Sequence, residues 1–345
     1  MKKLLALVLA CVMSLSMAAC SSSAPAASAG SSSAGGSSAG GSASGGSASG
    51  DSAFSFDSPI TVVVPFKAGS ATDNQIRLMQ SKLEKALGTN LVIVNAEGGS
   101  GTIGTTEYLT NYAADGYTIL YTLATPVVYK PLGGDTAYTY DDLTSVARTS
   151  SQPMYLIVPD SETRSAQEIL DYIKENPGKF TYANVGNGGN GHLAFASFLV
   201  GEGLDAVSVP YSGGTADCYT AMMGGEVNAA VYGEADLLAR EDNHAVINLG
   251  SKSTVESLQD VPTLADLGYE GYETNNMAGF FYNKDVPAAA VTAFEDAVES
   301  VLTDPEFVAE ATAAGFVPSF GTGADMDKQA EAAIEKAMPV LESLG

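Results

Sequence analysis

From Ile60 a strand, a glycine-rich loop and a helix succeed one another twice and close on a third strand; about 120 residues later the same order returns. In the first pass Ile60-Thr61-Val62-Val63-Val64 is continuous and β-branched, the mark of a buried strand. It enters a loop over 65–73, after which Ile76, Met79, Leu83 and Leu87 recur at helical spacing up to Gly88. Thr72 and Gln75 have capping-box spacing, and Asp73 puts a carboxylate in the first turn. A strand over 91–94, a loop over 97–102, a helix over 103–112 and a strand over 117–123 complete the unit. The second pass predicts a strand at 180–185, a loop at 186–191, a helix at 192–200, a strand at 206–210 and a loop at 212–217. A helix to Met223 and a strand at 227–232 follow. Short apolar strands at 154–158 and 279–282 bracket this unit, where the chain would cross between lobes and back. Helices predicted over 288–302, 305–314 and 326–344 return to the first lobe. Two βαβαβ units imply an α/β protein of two lobes, each a mainly parallel sheet flanked by helices. Residues 56–153 with 278–345 are expected to form lobe 1, and 154–277 lobe 2.

The N-terminus reads as a leader. Lys2 and Lys3 precede an apolar run from Leu4 to about Ala19, which predicts a secretory signal peptide over 1–19. Met17-Ala18-Ala19-Cys20 resembles the lipobox of bacterial lipoproteins, so Cys20 is expected to carry a lipid and anchor the chain to the outer face of the cell membrane. Residues 20–55 are rich in Ser, Gly and Ala, lack apolar surface to offset ordering, and read as a flexible tether. Gly36-Ser37-Ser38-Ala39-Gly40 spells a nucleophile elbow, but no strand or helix flanks it. With Cys11 in the leader and Cys20 lipidated, Cys218 is left as a buried, inert thiol.

The charge narrows the partners. It is −24, and losing Lys2 and Lys3 makes it −26, which argues against nucleic acid and against an electrostatic membrane-surface site. A bound anion must then be held by local dipoles. In an open α/β sheet ligands bind beyond the carboxyl ends of the strands, where the glycine loops run into helices. Glycine lets the backbone turn its N–H groups outward, and a helix N-terminus adds about half a positive charge. The pair expected to face a ligand is 68–73 with 186–192.

Enzymatic readings find little support. Gly186-Asn187-Gly188-Gly189-Asn190-Gly191 spells the dinucleotide fingerprint, but Asp205 begins the following strand instead of ending it, so the acid for the ribose is at the wrong edge. The two histidines, His192 and His244, have no pairing spacing, and no cysteine cluster exists, so neither a metal site nor a Ser-His-acid arrangement can be built. The expectation is a binding protein without cofactor or metal.

The stretch from Ile60 to Gly345 resembles the substrate-binding proteins of tripartite tricarboxylate transporters, the family of the Bordetella uptake-gene receptors. The motifs that carry the resemblance are 64–73 (VPFKAGSATD), 115–120 (DGYTIL), 176–183 (NPGKFTYA), 191–194 (GHLA), 209–211 (VPY), 224–227 (GGEV), 260–263 (DVPT) and 271–273 (GYE), in the family's order. The resemblance implies a periplasmic-binding-protein-like clamshell that closes on a small organic acid, without chemistry, and passes it to membrane permease subunits. Matched to the family's first-lobe loop are Ala68, Gly69, Ser70, Ala71 and Thr72, with Asp73 assigned to capping. Matched to the second-lobe loop are Asn184, Gly186, Asn187, Gly188, Gly189, Asn190 and His192, and to the adjoining loop Tyr211, Gly213 and Thr215. Ser70-Ala71 stand where the family's loop is richer in glycine, Asn184 and Gly189 where serine is common, Ser212 at a frequent lysine, and Lys67 where a small residue or proline is usual. Lys67 or Asn190 is therefore expected to adjust ligand choice. The expected ligand is a di- or tricarboxylate, dicarboxylates first, bound by a monomer. A sensory lipoprotein signalling occupancy is the alternative.

Overall fold

The computed structural model describes residues 54–344; the leader, Cys20 and most of the tether lie outside them. The first repeat is β1 (Ile60–Val64), α1 (Ala71–Leu87), β2 (Leu91–Asn95), a 3-10 turn Gly99–Gly101 leading into α2 (Thr102–Asn111), and β3 (Thr118–Leu123). A π-helical turn Thr125–Tyr129 then runs into α3 (Lys130–Leu132). After the long β4 (Leu143–Pro159) and α4 (Ala166–Glu175), the second repeat is β5 (Thr181–Asn184), α5 (Asn190–Gly201), β6 (Val207–Pro210), α6 (Thr215–Met223) and β7 (Ala229–Gly233). The chain continues through α7 (Glu234–Leu238), β8 (Asn243–Asn248), β9 (Asn275–Asn283), α8 (Ala288–Leu302), α9 (Pro305–Ala313), β10 (Gly321–Thr322) and α10 (Gly323–Leu344).

Each repeat supplies three parallel strands, β2-β1-β3 in one sheet and β6-β5-β7 in the other. The sheets are mixed, not mainly parallel, because the crossing strands run antiparallel to their neighbours. The first half of β4 pairs with β9 from Leu143↔Asn283 to Pro153↔Asn275, and β9 pairs with β3. The second half of β4 pairs with β7 and β8. One strand thus belongs to both sheets, and β4 with β9 forms the connection between lobes.

The predicted strand at 154–158 is only the apolar end of β4. Its earlier half, 143–153, is polar in sequence, and the structure explains why that does not prevent a strand. Arg148 spends its guanidinium on the carbonyls of Ser319 and Phe320 (both 3.2 Å) and on Gln329 Oε1 (3.2 Å), tying β4 to β10 and α10. Tertiary partners outweigh local pattern here.

Each lobe buries its own core, with Val62, Ile76, Met79, Leu83, Phe280 and Phe294 in the first and Leu156, Ile169, Phe180, Phe195, Phe198 and Val231 in the second. The C-terminal helix does more than return to the first lobe. Met326 and Ala330 of α10 share a cluster with Val127, Tyr129 and Phe281, and also with Leu193 and Ala196 of α5. Ser197 Oγ donates to Lys336 O at 3.0 Å. Cys218 is buried with its thiol pushed up to about 11, chiefly by burial, so it stays protonated and unreactive. No helix among the described residues is long and apolar enough to cross a membrane.

Candidate ligand-binding cleft

Helix α1 starts where Ser70, in extended backbone, accepts the Asp73 amide on its side chain at 3.3 Å. Ser70, not Thr72, is the cap, so Ala71 and Thr72 occupy the first turn and their N–H groups face outward from the helix end. Asp73 is nearly sealed from solvent and accepts the Gly69 N–H (2.8 Å), Arg77 Nε (2.8 Å) and Asn95 Nδ2 (2.9 Å). The hydrogen bond from Arg77, followed by those from Gly69 and Asn95, outweighs burial and holds its carboxyl at about 2. The sequence assigned Asp73 to capping; the cap itself is Ser70, and Asp73, off the cavity lining, ties the preceding turn to the first turn of the helix through Gly69.

The second-lobe loop is held differently. Asn184, at the end of β5, accepts the Gly186 N–H on its side chain at 2.8 Å and donates to Ser208 Oγ at 2.7 Å. Gly186 (φ 122°) and Gly188 (φ 71°) take backbone conformations that disfavour any side chain. His192 is buried, and its Nδ1 accepts the Gly188 N–H at 3.2 Å. Burial pushes its pKa down to about 4, so the ring is neutral near pH 7 with its proton on Nε2. Helix α5 starts at Asn190, two residues before the sequence pattern predicts, which puts Asn190 and Gly191 in its first turn.

These loops wall a cavity of about 420 Å³ between the lobes. Of the first-loop residues matched to the family, Ala71 and Thr72 line it. From the second-lobe loops Gly186, Asn187, Gly189, Asn190 and Thr215 do so. Ala68, Gly69 and Ser70 do not; they form the turn behind the helix start. Asn184, Gly188 and His192 lie beneath the second loop and fix its shape. Tyr211 turns its hydroxyl to Glu226 (3.3 Å), and Gly213 lies beside the Asp217 carboxylate, so both sit off the cavity. Lys67 is exposed and outside the lining, whereas Lys130, on α3, is in it.

Several lining residues escaped the sequence pattern. Gln75 lies one helical turn beyond Ala71, a spacing that could have found it. Gln152 and Asn276 face each other across β4 and β9, on the cavity floor; polar residues at the ends of crossing strands were the available signal. Thr125 follows β3 in the π-helical turn, and its Oγ accepts the Asn190 N–H from the other lobe at 3.4 Å. Lys130 and Asp236 are the charged residues of the lining, and each is matched by an opposite charge. Lys130 Nζ lies 3.2 Å from Asp135, and Asp236 lies 2.8 Å from Arg240, whose guanidinium also reaches Thr215 Oγ1 (3.0 Å) and stacks over Tyr232. Among the described lining residues no cation lacks a carboxylate partner. What stays uncommitted is helix-end N–H groups and side-chain amides. Asn190 is 5 % exposed, and neither its Nδ2 nor its Oδ1 has a hydrogen-bond partner; Asn276 Oδ1 has none either.

The model of the tripartite tricarboxylate transporter family receptor matches residues 75–345. A relative, the UPF0065 protein in the tcbD-tcbE intergenic region of a Pseudomonas species, is 28% identical over 256 residues, 72% of this chain and 75% of that protein. A solved TctC solute-binding protein from Polaromonas has the same fold, with a TM-score of 0.71 at 22% identity over 83% of this chain and 99% of that one. An R. palustris protein solved with adipate gives 0.67 at 26% identity, over 81% and 95%. The chain belongs to the tripartite tricarboxylate transporter receptor family, a family of extracytoplasmic solute receptors and not of enzymes.

Proposed function

We propose that this receptor binds a small carboxylate, a di- or tricarboxylate, between its lobes and delivers it to the membrane subunits of a tripartite tricarboxylate-type transporter while anchored through lipidated Cys20. The observation that carries the reading is the arrival of two long helices, α1 and α5, with their N-termini on one cavity from opposite lobes. Each end offers N–H donors and partial positive charge to an anion without a free lysine or arginine. The family's name and the adipate held by the R. palustris relative support an organic acid. The binding residues on this reading are Ala71, Thr72, Gly186, Asn187, Gly189, Asn190 and Thr215, with the other matched positions shaping the loops.

Thermal unfolding against mono-, di- and tricarboxylates tests it. A ligand at 100 times its dissociation constant stabilises the folded form by about 2.7 kcal/mol. A shift with one acid class, absent with its amide analogues, is the expected result. No shift with any acid, after removal of co-purified ligand by unfolding and refolding, would sink it. Crosslinking in the membrane to a permease separates delivery from signalling to a sensor.

A further inference from the structure

Two carboxamides on the cavity wall lack partners, and together they constrain the ligand beyond its charge. Asn190, in the first turn of α5, is buried with both Nδ2 and Oδ1 unpaired, and Asn276, on the crossing strand β9, has a buried, unpaired Oδ1. A primary amide carries its donor and acceptor on one carbon, so turning either side chain over leaves one of each in place. The orphaned Asn190 amide therefore asks for a donor and an acceptor from whatever occupies the cavity. A carboxylate supplies only acceptors. It can take the N–H₂ of Asn190 and the helix-end N–H groups, but it can do nothing for the amide oxygens.

Nearby protein groups do not remove the demand. Thr125 Oγ1 accepts the Asn190 backbone N–H but makes no hydrogen bond to the Asn190 side chain, and the Thr215 hydroxyl donates to Asp236 at 2.8 Å. Lys130, the cation of the lining, turns its ammonium to Asp135 and bonds neither amide. A buried acceptor left without a donor costs about 1–3 kcal/mol, and a site built to bond a ligand O–H or N–H rejects the analogue that lacks it.

We propose that the cavity is built for a carboxylate that also carries a hydrogen-bond donor, a hydroxyl or amino group close to a carboxyl, whose donor meets Asn190 Oδ1 or Asn276 Oδ1. The inference rests on the carboxylate reading and narrows it: plain dicarboxylates fit the helix ends but leave the amide oxygens unpaired.

The test uses acids that differ only in the donor. Calorimetric titration of the full chain with succinate against malate and aspartate, and with tricarballylate against citrate, gives matched comparisons. The donor-bearing acid of at least one set should bind more than about tenfold tighter than its plain counterpart. Asn190→Leu should bring that ratio toward one while the protein keeps its cooperative melt. Should Asn190→Leu fail to fold, Asn276→Leu provides the same readout from the crossing strand β9. Equal or tighter binding of the plain acids would overturn the inference and leave the carboxylate reading standing, with bridging water as the donor. The diamide of malate binding as well as malate would overturn the carboxylate reading instead. If no acid binds, both fail.

Discussion

The two loops that build the cleft have the same shape of problem and opposite electrostatic solutions. Both must hold a helix start open to the cavity, with backbone N–H groups turned outward. In the first lobe the turn is pinned by a buried charge, Asp73, which collects the Gly69 N–H, Arg77 and Asn95. In the second it is pinned by a neutral ring and an amide: His192 takes the Gly188 N–H, and Asn184 takes that of Gly186. A charge can pin the first loop because Arg77 supplies a counter-charge. The second has no cation within its network, so it uses acceptors that are neutral at working pH. Neither arrangement spends a side chain that lines the cavity; of the lining residues only Gly186 is drawn in, through its backbone N–H.

Breaking the first pin should have the largest effect. Asp73→Ala deprives a loop N–H, Arg77 and Asn95 of their shared acceptor. Hydrogen bonds to a charged group are worth about 1.5–3 kcal/mol each, but Arg77 is half exposed and regains water, so the loss expected is about 3 kcal/mol in urea unfolding. Asp73→Asn should recover part of it. Because the carboxylate binds its proton less readily folded (about 2) than unfolded (3.8), its contribution is complete above pH 4 and disappears as pH falls toward 2. An Asp73→Ala protein as stable as the parent at pH 7 would refute the pinning role.

The second pin should fail earlier on acidification. His192 binds its proton less readily in the fold (about 4) than in the unfolded chain (6.5), so between those values the unfolded state takes up more protons. Stability from this ring is complete above pH 6.5 and is lost as pH falls to 4, on the order of 3 kcal/mol. Protonation would also set an N–H against the Gly188 N–H. Urea titrations at several pH values should show a slope across this window that His192→Gln removes, whatever that substitution costs at pH 7. Parallel slopes in parent and variant would assign the acid sensitivity elsewhere. A binding assay sharpens the comparison: ligand affinity should weaken as pH falls toward 4, where the folded ring takes its proton, while the first loop, with Asp73 at about 2, remains intact.

The second loop was far more legible in the sequence than the floor between the loops. Gly186, Asn187 and Gly189 follow a β-strand and precede a helix that begins at Asn190, and that local order fixes where they lie. The first loop was half legible. Its position followed from Ile60-Thr61-Val62-Val63-Val64, but the cap fell at Ser70 instead of Thr72, because Ser70 is the residue whose extended backbone lets its hydroxyl reach Asp73 N. Gln152, Asn276 and Thr125 could not be found from spacing. They reach the cavity through pairing between β4 and β9 and through a π-helical turn, both of which depend on residues more than 100 positions apart or on backbone geometry that no side-chain period encodes. The polar first half of β4 was missed for the same reason: Arg148 and its carbonyl partners on 319 and 320 make a strand of a segment without strand pattern.

The smallest effect separates the two lysines. Lys67 stands in the first loop, where the family usually has a small residue or proline, and the sequence alone makes it a candidate for ligand choice. The structure turns it to solvent, off the lining, while Lys130 lines the cavity with its ammonium 3.2 Å from the largely exposed Asp135. An exposed pair of this kind is worth about 0–1 kcal/mol, so a ligand carboxylate can compete for the lysine at little cost. Lys67→Ala should leave dicarboxylate affinity within about twofold of the parent, the experimental scatter of a weak surface charge. Lys130→Met, which keeps the stem and removes the charge, should weaken dicarboxylates about three- to fivefold and monocarboxylates less, since a second anionic end is what the ammonium would meet. Titration of both variants with matched mono- and diacids measures the difference directly. A loss with Lys67→Ala and none with Lys130→Met would mean that the first loop swings its lysine inward when ligand arrives, and the contrast between a charged pin and a neutral one would then extend from stability to ligand choice.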